Sequence, residues 1–310
     1  MGVVRTFGER GFVRLASLRT ISNTMARLAD ARLPPSVLRR LIKGYIRLYR
    51  VDMSQVAEPI ESFATFNHFF TRRLRDGARP VAREAGVVIA PADSRVSSIG
   101  SLPRKGRLDR IKGRSYEIEA LLASAEEAAA FADGVQATLY LSPSMYHRVH
   151  SPVDGHIVSW RYIPGRLYPV NRLAVRHIPG LFAVNERVSV FIDTPDHGRV
   201  AVVLVGAANV GRISLAFSSL VTNTGGAAVH ETPATPIAIG RGDELGVFNL
   251  GSTVVLLIAD PRLEAAAGLA PGDVVRMGQP LFVNKLGGAA PHPPDPPLAC
   301  APVAPGRAPK

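Results

Sequence analysis

The spacing of apolar positions changes character once along the chain. Up to about residue 74 they recur at helical intervals; beyond about residue 86 they gather in short runs bounded by Gly, Pro and Asp. Leu38, Leu41, Ile42, Tyr45, Leu48 and Tyr49 fall three and four apart, which predicts an amphipathic helix after Pro34-Pro35 with Ser36 as its cap. Residues 10–30 read as a basic helix broken before the same prolines. Residues 65–74 read as a short helix leading into a turn over 75–80, with Asn67, Arg72 and Arg73 on its solvated surface. The β-type runs are 87–90, 136–142, 157–162, 188–192, 200–206, 210–217 and the run from 254 to 258. Within this part only the Ala/Glu-rich stretch 116–133 has helical character. Strands that do not alternate with helices predict an α+β protein: a mainly antiparallel β body behind an α-helical amino-terminal region.

A short echo lies inside the body. Pro91-Ala92-Asp93-Ser94-Arg95-Val96 resembles Pro152-Val153-Asp154-Gly155-His156-Ile157, each reading as strand, tight turn and strand. The echo predicts a barrel-like body of duplicated hairpins. Three segments follow from these patterns: a basic helical region over 1–60, a β body over 61–286, and a disordered Pro/Ala-rich tail over 287–310.

Charge sharpens the first boundary. Residues 1–50 hold eleven Lys and Arg against Glu9 and Asp30, a net +9 out of the chain's +12, so the remainder is nearly balanced. Such an arm seeks an anionic partner, a membrane surface or a nucleic acid. The body shows no basic stripe with interleaved aromatics, which argues against nucleic acid. Packing of the apolar stripe on the body and burial in a bilayer interface both fit the helix at 36–50. No apolar run is long enough to span a membrane, and arginines interrupt every apolar stretch near the start, so neither a spanning helix nor a leader is expected. The opening Met1-Gly2-Val3-Val4-Arg5-Thr6 fits a myristoylation pattern at Gly2. Cys300 is the only cysteine, so no internal disulfide is possible.

Candidate chemistry begins with Leu250-Gly251-Ser252-Thr253 ahead of the apolar run. It reads as a Gly-bearing turn entering a buried strand. It also permits self-cleavage: the Ser252 hydroxyl lies one peptide bond from the Gly251 carbonyl, and an N-to-O acyl shift followed by elimination cuts the chain there. Gly251 tolerates the backbone conformations this needs. The new amino terminus at 252 would carry a pyruvoyl group, an electron sink suited to decarboxylation. A second cluster is Tyr146-His147-Arg148-Val149-His150-Ser151-Pro152, with two histidines three apart beside a turn. A metal site from His147, His150, Asp154 and His156 is conceivable, but no Cys and no HExxH-type helix supports it, and no metal is expected.

Six motifs in order resemble the phosphatidylserine decarboxylase family of pyruvoyl-dependent proenzymes. They are FNHFFTRRLRDGARP at 66–80, PAD at 91–93, YHRVHSP at 146–152, NRLAVRHIPGLFAVNERV at 171–188, LGST at 250–253 and GQPL at 278–281. The resemblance implies cleavage between Gly251 and Ser252 into a β chain of 1–251 and an α chain of 252–310. It implies that Ser252 becomes the pyruvoyl cofactor, that His150 is the base of the cleavage triad, and that Asp93 is its carboxylate, orienting the imidazole. It implies that His147 serves in decarboxylation of phosphatidylserine to phosphatidylethanolamine. One position departs from the family pattern: Ser94 stands where Gly usually follows the Asp, and a positive φ there would strain it.

An anionic lipid substrate gives the basic arm a task. The implied protein is a peripheral membrane protein on the cytoplasmic face, bound to anionic phospholipid and built as a heterodimer of its own two chains or a higher oligomer of these. Two other readings remain open at this point: a pyruvoyl decarboxylase of a soluble amino acid, and an uncleaved β-barrel-like binding module.

Overall fold

The computed structural model describes residues 19–102, 107–111, 114–170, 177–207, 212–249 and 252–285. Gly2, Leu250, Gly251, Cys300 and the tail expected over 287–310 lie outside them, and residue 252 is described through its backbone. The helices are α1 (Arg19–Asp30), α2 (Pro35–Tyr49), α3 (Phe66–Phe70), α4 (Ile118–Leu122), α5 (Ala125–Ala129) and α6 (Leu181–Val184). The first strands are β1 (Val88–Ile89), β2 (Ser94–Ser101), β3 (Arg107–Ile111), β4 (Arg114–Glu117), β5 (Val135–Leu141) and β6 (Arg148–His150). Then come β7 (Gly155–Ile163), β8 (Arg187–Thr194), β9 (Gly198–Gly206), β10 (Arg212–Leu215), β11 (Val229–Glu231) and β12 (Ile237–Ile239). The last are β13 (Glu244–Asn249), β14 (Ser252–Ile258), β15 (Leu263–Ala265), β16 (Val274–Val275) and β17 (Pro280–Asn284).

One nine-stranded sheet organises the body, in the order β11-β7-β8-β9-β14-β5-β2-β16, with β12 also on β7. Its pairings are antiparallel. The continuous apolar run of β14 is explained by its central place, because both faces are covered. Val254, Leu256 and Ile258 point into one core with Val200, Val202 and Leu204 of β9, under Val149, Ile213, Leu245 and Phe248 of the small sheet β10-β13-β6. Val255 and Leu257 point the other way, with Ala201, Val203 and Val205, against Ile118, Leu121 and Leu122 of α4 and Leu181 and Phe182 of α6. The result is a layered α+β body.

The barrel expectation is overturned, because the sheet is open and ends on β11 and β16. Layers on both faces bury its central strands, so closure is not needed to hide them. The echo is visible locally: Ser94 and Gly155 each begin a strand, and β2 and β7 each lie second from opposite ends of the sheet. The two positions differ in what they tolerate. A Cβ on Gly155 would sit 2.4 Å from the Asp193 carbonyl oxygen of β8. Ser94 is extended, pairs with Val275 and is not among the non-glycine residues of positive φ, so its side chain brings no left-handed strain.

The helical region has its own core. Leu38 and Ile42 of α2 are buried with Val51, Val56, Phe63 and Phe69. The helix starts on Pro35 with Pro34 before it and no side-chain cap, not on Ser36; proline fits the first turn, where its missing N–H would lack a partner anyway. Val37, Leu41 and Leu48 form a second apolar stripe on α2 that remains exposed, Leu48 to 74%.

Candidate active site

The segment from Leu141 to Arg148 grips both flanks of the Leu250-Gly251 step. Downstream, Ser252 lies opposite Leu141 in β5 and opposite Gly206 in β9. Upstream, the Phe248 amide donates to the His147 carbonyl at 3.0 Å, and Val247 pairs with Arg148. The turn between is closed by the Met145 amide donating to the Ser142 carbonyl at 3.0 Å. The topology thereby brings the histidine motif alongside the expected cleavage point.

His147 is fully buried. Its Nδ1 lies 2.8 Å from the Met145 carbonyl oxygen, which can only accept, so Nδ1 carries the proton. Its Nε2 is then a bare acceptor, buried and without a partner in the structure. The Phe70 ring packs 4.1 Å from the imidazole, centre to centre. Burial first, and then the charge of Arg72, hold this imidazole down to about 3, so it is neutral across the physiological range.

His150 sits opposite Glu244 across β6 and β13, with both ring nitrogens engaged. Nδ1 donates to the Gly242 carbonyl at 2.8 Å, and Nε2 accepts from the Tyr146 hydroxyl at 3.0 Å. Burial lowers its pKa from the ordinary histidine value, against the opposing pull of the Gly242 bond and Glu244. Burial also raises the Tyr146 phenol to about 12, so it stays protonated and keeps donating.

The Asp93 carboxylate is held differently from the expectation that it orients the imidazole. Its Oδ1 accepts from Arg79 Nε at 2.7 Å and from the Met277 amide at 2.9 Å, and its Oδ2 accepts from Arg79 Nη2 at 2.5 Å. The Gly242 carbonyl takes the place at His150 Nδ1. Asp93 remains close by through the backbone, where the His150 amide donates to Pro91 at 2.8 Å. Arg79, Asp93, Arg72, Met145 and Tyr146 line a common cleft of about 180 Å³.

Two residues expected on the surface are not there. Arg72 is buried and its Nη2 donates to the carbonyls of Ser144 and Met145, while Arg73 is exposed as expected. Asn67 Nδ2 donates to Asp30 of α1 at 2.9 Å and to Asn249 Oδ1 at 3.0 Å. Asn249 Nδ2 donates to the Arg212 carbonyl, and Arg212 pairs with Asp30, closing a ring that ties the amino-terminal helix to the strand leading into the cleavage point. The candidate metal ligands have other partners: Asp154 pairs with Arg241 at 3.3 Å, and His156 is exposed on β7. Among the described residues no three His, Cys, Asp or Glu side chains form a group able to hold a metal ion.

The family model described as phosphatidylserine decarboxylase matches residues 66–283. The chain belongs to the phosphatidylserine decarboxylase family. A protein of Anaeromyxobacter sp. (strain K) is 42% identical over 281 residues, 90% of this chain and 97% of its own. A Bordetella pertussis protein is 42% identical over 274 residues, 86% of this chain and 91% of its own. One from Pseudomonas paraeruginosa is 44% identical over 252 residues, 79% of this chain and 86% of its own. Each is named phosphatidylserine decarboxylase proenzyme.

Within this family fold, four residues join the site that the sequence reading gave no role. Arg79 and the Met277 amide, from the segments 66–80 and 277–281, converge on Asp93. Tyr146 covers His150, and Arg72 abuts His147 through Met145. The available signal was the arginine pair at 72–73 just after a helix with three phenylalanines: beside so apolar a helix, one arginine of the pair is turned inward.

Proposed function

We propose that this chain is a self-cleaving phosphatidylserine decarboxylase, cut between Gly251 and Ser252, that converts phosphatidylserine to phosphatidylethanolamine. The observation that carries the reading is the double grip of the 141–148 segment on both sides of the Leu250-Gly251 step, in a chain of this family. The proenzyme names of the relatives fit a chain that is cut to become active.

Ser252 is the nucleophile: its Oγ bonds to the Gly251 carbonyl carbon as the peptide C–N bond breaks. Elimination then breaks the Cβ–O bond and frees the Gly251 carboxylate, and water releases the nitrogen of residue 252 as ammonia to leave the ketone. His150 removes the Ser252 hydroxyl proton through Nε2, which requires that the Tyr146 hydroxyl give up that nitrogen. Asp93, braced by Arg79 and the Met277 amide, supplies negative charge beside His150. The strand suits a group carried on a new chain end: residues 253–258 pair on both sides, with β5 and β9, so it stays seated once the preceding bond is gone and residue 252 has lost its nitrogen. The pyruvoyl group supplies the electron sink for the charge that departing CO₂ leaves behind. His147 then delivers a proton to the carbon that has lost CO₂. Its Nε2 is bare at rest, so it must first take up that proton, which the substrate's ammonium gives up as its amine joins the ketone. Over a full turn one proton is taken from solvent for each CO₂ released.

Among the described residues no helix is long and apolar enough to cross a membrane. The stripe of Val37, Leu41 and Leu48, exposed among Arg39, Arg40, Lys43 and Arg47, is the surface that lies on an anionic bilayer at the cytoplasmic face. The two chains stay together as a heterodimer through the pairing of β14 with β5 and β9.

One preparation tests the reading. Purified protein is weighed intact, floated on phosphatidylserine vesicles at two salt concentrations, and assayed for CO₂, beside Ser252→Ala and Leu41→Asp/Leu48→Asp variants. The expected result is chains 1–251 and 252–310, the smaller with a blocked amino terminus, and CO₂ release from the vesicles. Ser252→Ala stays whole and inactive, and the double Asp variant floats less. Release of CO₂ by a single uncut chain would sink the mechanism, release from free serine alone would move the substrate to soluble amino acids, and unchanged flotation would remove the membrane surface.

A further inference from the structure

Arg72 is only 3% exposed, and its hydrogen bonds go to backbone carbonyls. Burying a guanidinium is costly unless its donors are well used. Nη2 donates to the Ser144 carbonyl at 2.9 Å and to the Met145 carbonyl at 3.2 Å, and the cation lies 5.4 Å from the centre of the Phe69 ring. The Met145 oxygen is the same atom that takes the proton of His147 Nδ1, at 2.8 Å. Phe70, two residues before Arg72, packs on the imidazole face. One short segment, 69–72, therefore holds His147 by its ring and by its hydrogen-bond acceptor.

We propose that Arg72 is the positioning residue for His147: by pinning the Met145 carbonyl it fixes the imidazole as the Nδ1–H tautomer and leaves Nε2 as the nitrogen that handles the proton of decarboxylation. The inference rests on the role given to His147 above. Two bonds from one guanidinium nitrogen, Nη2, set the turn at 144–145, while Nη1 reaches the Phe70 carbonyl at 3.5 Å, and a lysine's compact ammonium would not span both sites. The same charge opposes protonation of the imidazole at rest, in keeping with its depressed pKa.

The test is a double-mutant cycle on the mature enzyme with phosphatidylserine in detergent micelles. Arg72→Gln is expected to yield both chains normally and to lose roughly thirtyfold to a hundredfold in kcat, with KM within about twofold, as a misplaced catalytic group does. In a His147→Ala background the same change is expected to cost less than about twofold more, because its partner is gone. Losses that multiply, an unchanged kcat, or a loss confined to maturation or KM overturn the proposal. A His147→Ala enzyme with wild-type turnover removes the role of His147 itself, whereas a slow His147→Ala beside a normal Arg72→Gln removes only the inference about Arg72. Should Arg72→Gln fail to fold, the charge-conserving Arg72→Lys decides: a kcat loss at unchanged KM that vanishes in the His147→Ala background supports the proposal, and wild-type turnover overturns it.

Discussion

His147 and His150 stand three residues apart in one motif, and the fold treats them in different ways. His147 precedes β6, is sealed from water by Phe70 and keeps one nitrogen bare. His150 ends β6 and has both nitrogens occupied, by Gly242 and Tyr146. On both, the proton sits on Nδ1 because a carbonyl faces it, so both present Nε2 as acceptor. They differ in what confronts that acceptor: nothing for His147, a hydroxyl for His150. A free acceptor is ready for a substrate group that arrives later. A covered one must first lose its partner, which suits a step the protein performs once, on itself.

The largest expected effect separates the two by reaction. His150→Ala should slow self-cleavage about a hundredfold to ten-thousandfold, the usual cost of removing a general base. His147→Ala should still be cut into two chains but turn over slowly by a similar factor. A time course on gels, run beside CO₂ release, reads both. If His147→Ala stays whole while His150→Ala matures normally, the assignments are reversed.

A smaller effect concerns stability. The folded-state pKa of His147 is depressed to about 3, against 6.5 for the unconstrained side chain. Between those values the unfolded chain takes up a proton that the folded one refuses, so stability falls as pH falls through that window and is unaffected above it. The slope is about 1.4 kcal/mol per pH unit for one such group. Urea unfolding at pH 6, 5 and 4 should show a shallower slope in His147→Gln than in wild type, and His150→Gln should change it in the same direction. Carboxylates add their own slope, but equally to all three proteins. Parallel lines for wild type and His147→Gln would show that the site admits a proton freely.

The smallest effect tests the cover on His150. Removing the Tyr146 hydroxyl frees Nε2 at the cost of one ordinary hydrogen bond, worth about 1 kcal/mol. Tyr146→Phe should therefore speed cutting by roughly threefold to fivefold, that energy expressed as a rate. Slower cutting would make the phenol a proton relay and remove the idea of a cover.

Much of this was legible in the chain itself. The switch from helical to strand-like spacing predicted the α+β division, because side-chain periodicity follows backbone geometry directly. The run 254–258 announced a buried strand, and the six ordered motifs announced the family. What stayed hidden depends on contacts between distant segments. Asn67 and Arg72 look solvated in sequence, since nothing nearby shows that α3 faces the 144–147 turn and Asn249. The barrel expectation failed for the same reason: strand patterns cannot say whether a sheet is closed or covered by other layers.

By itself, then, the sequence determined the local elements, the family, and which residue types could carry the chemistry: Ser252, His147, His150 and Asp93. The tertiary structure decided which partner each polar group meets. Asp93 meets Arg79 and the Met277 amide, 14 and 184 residues away along the chain, and His150 meets the Gly242 carbonyl, 92 residues away. Periodicity and composition act over a few residues, whereas a buried polar group is satisfied by whatever the folded chain brings within about 3 Å of it. That distance is set by sheet order and register, which exist only once the chain has folded.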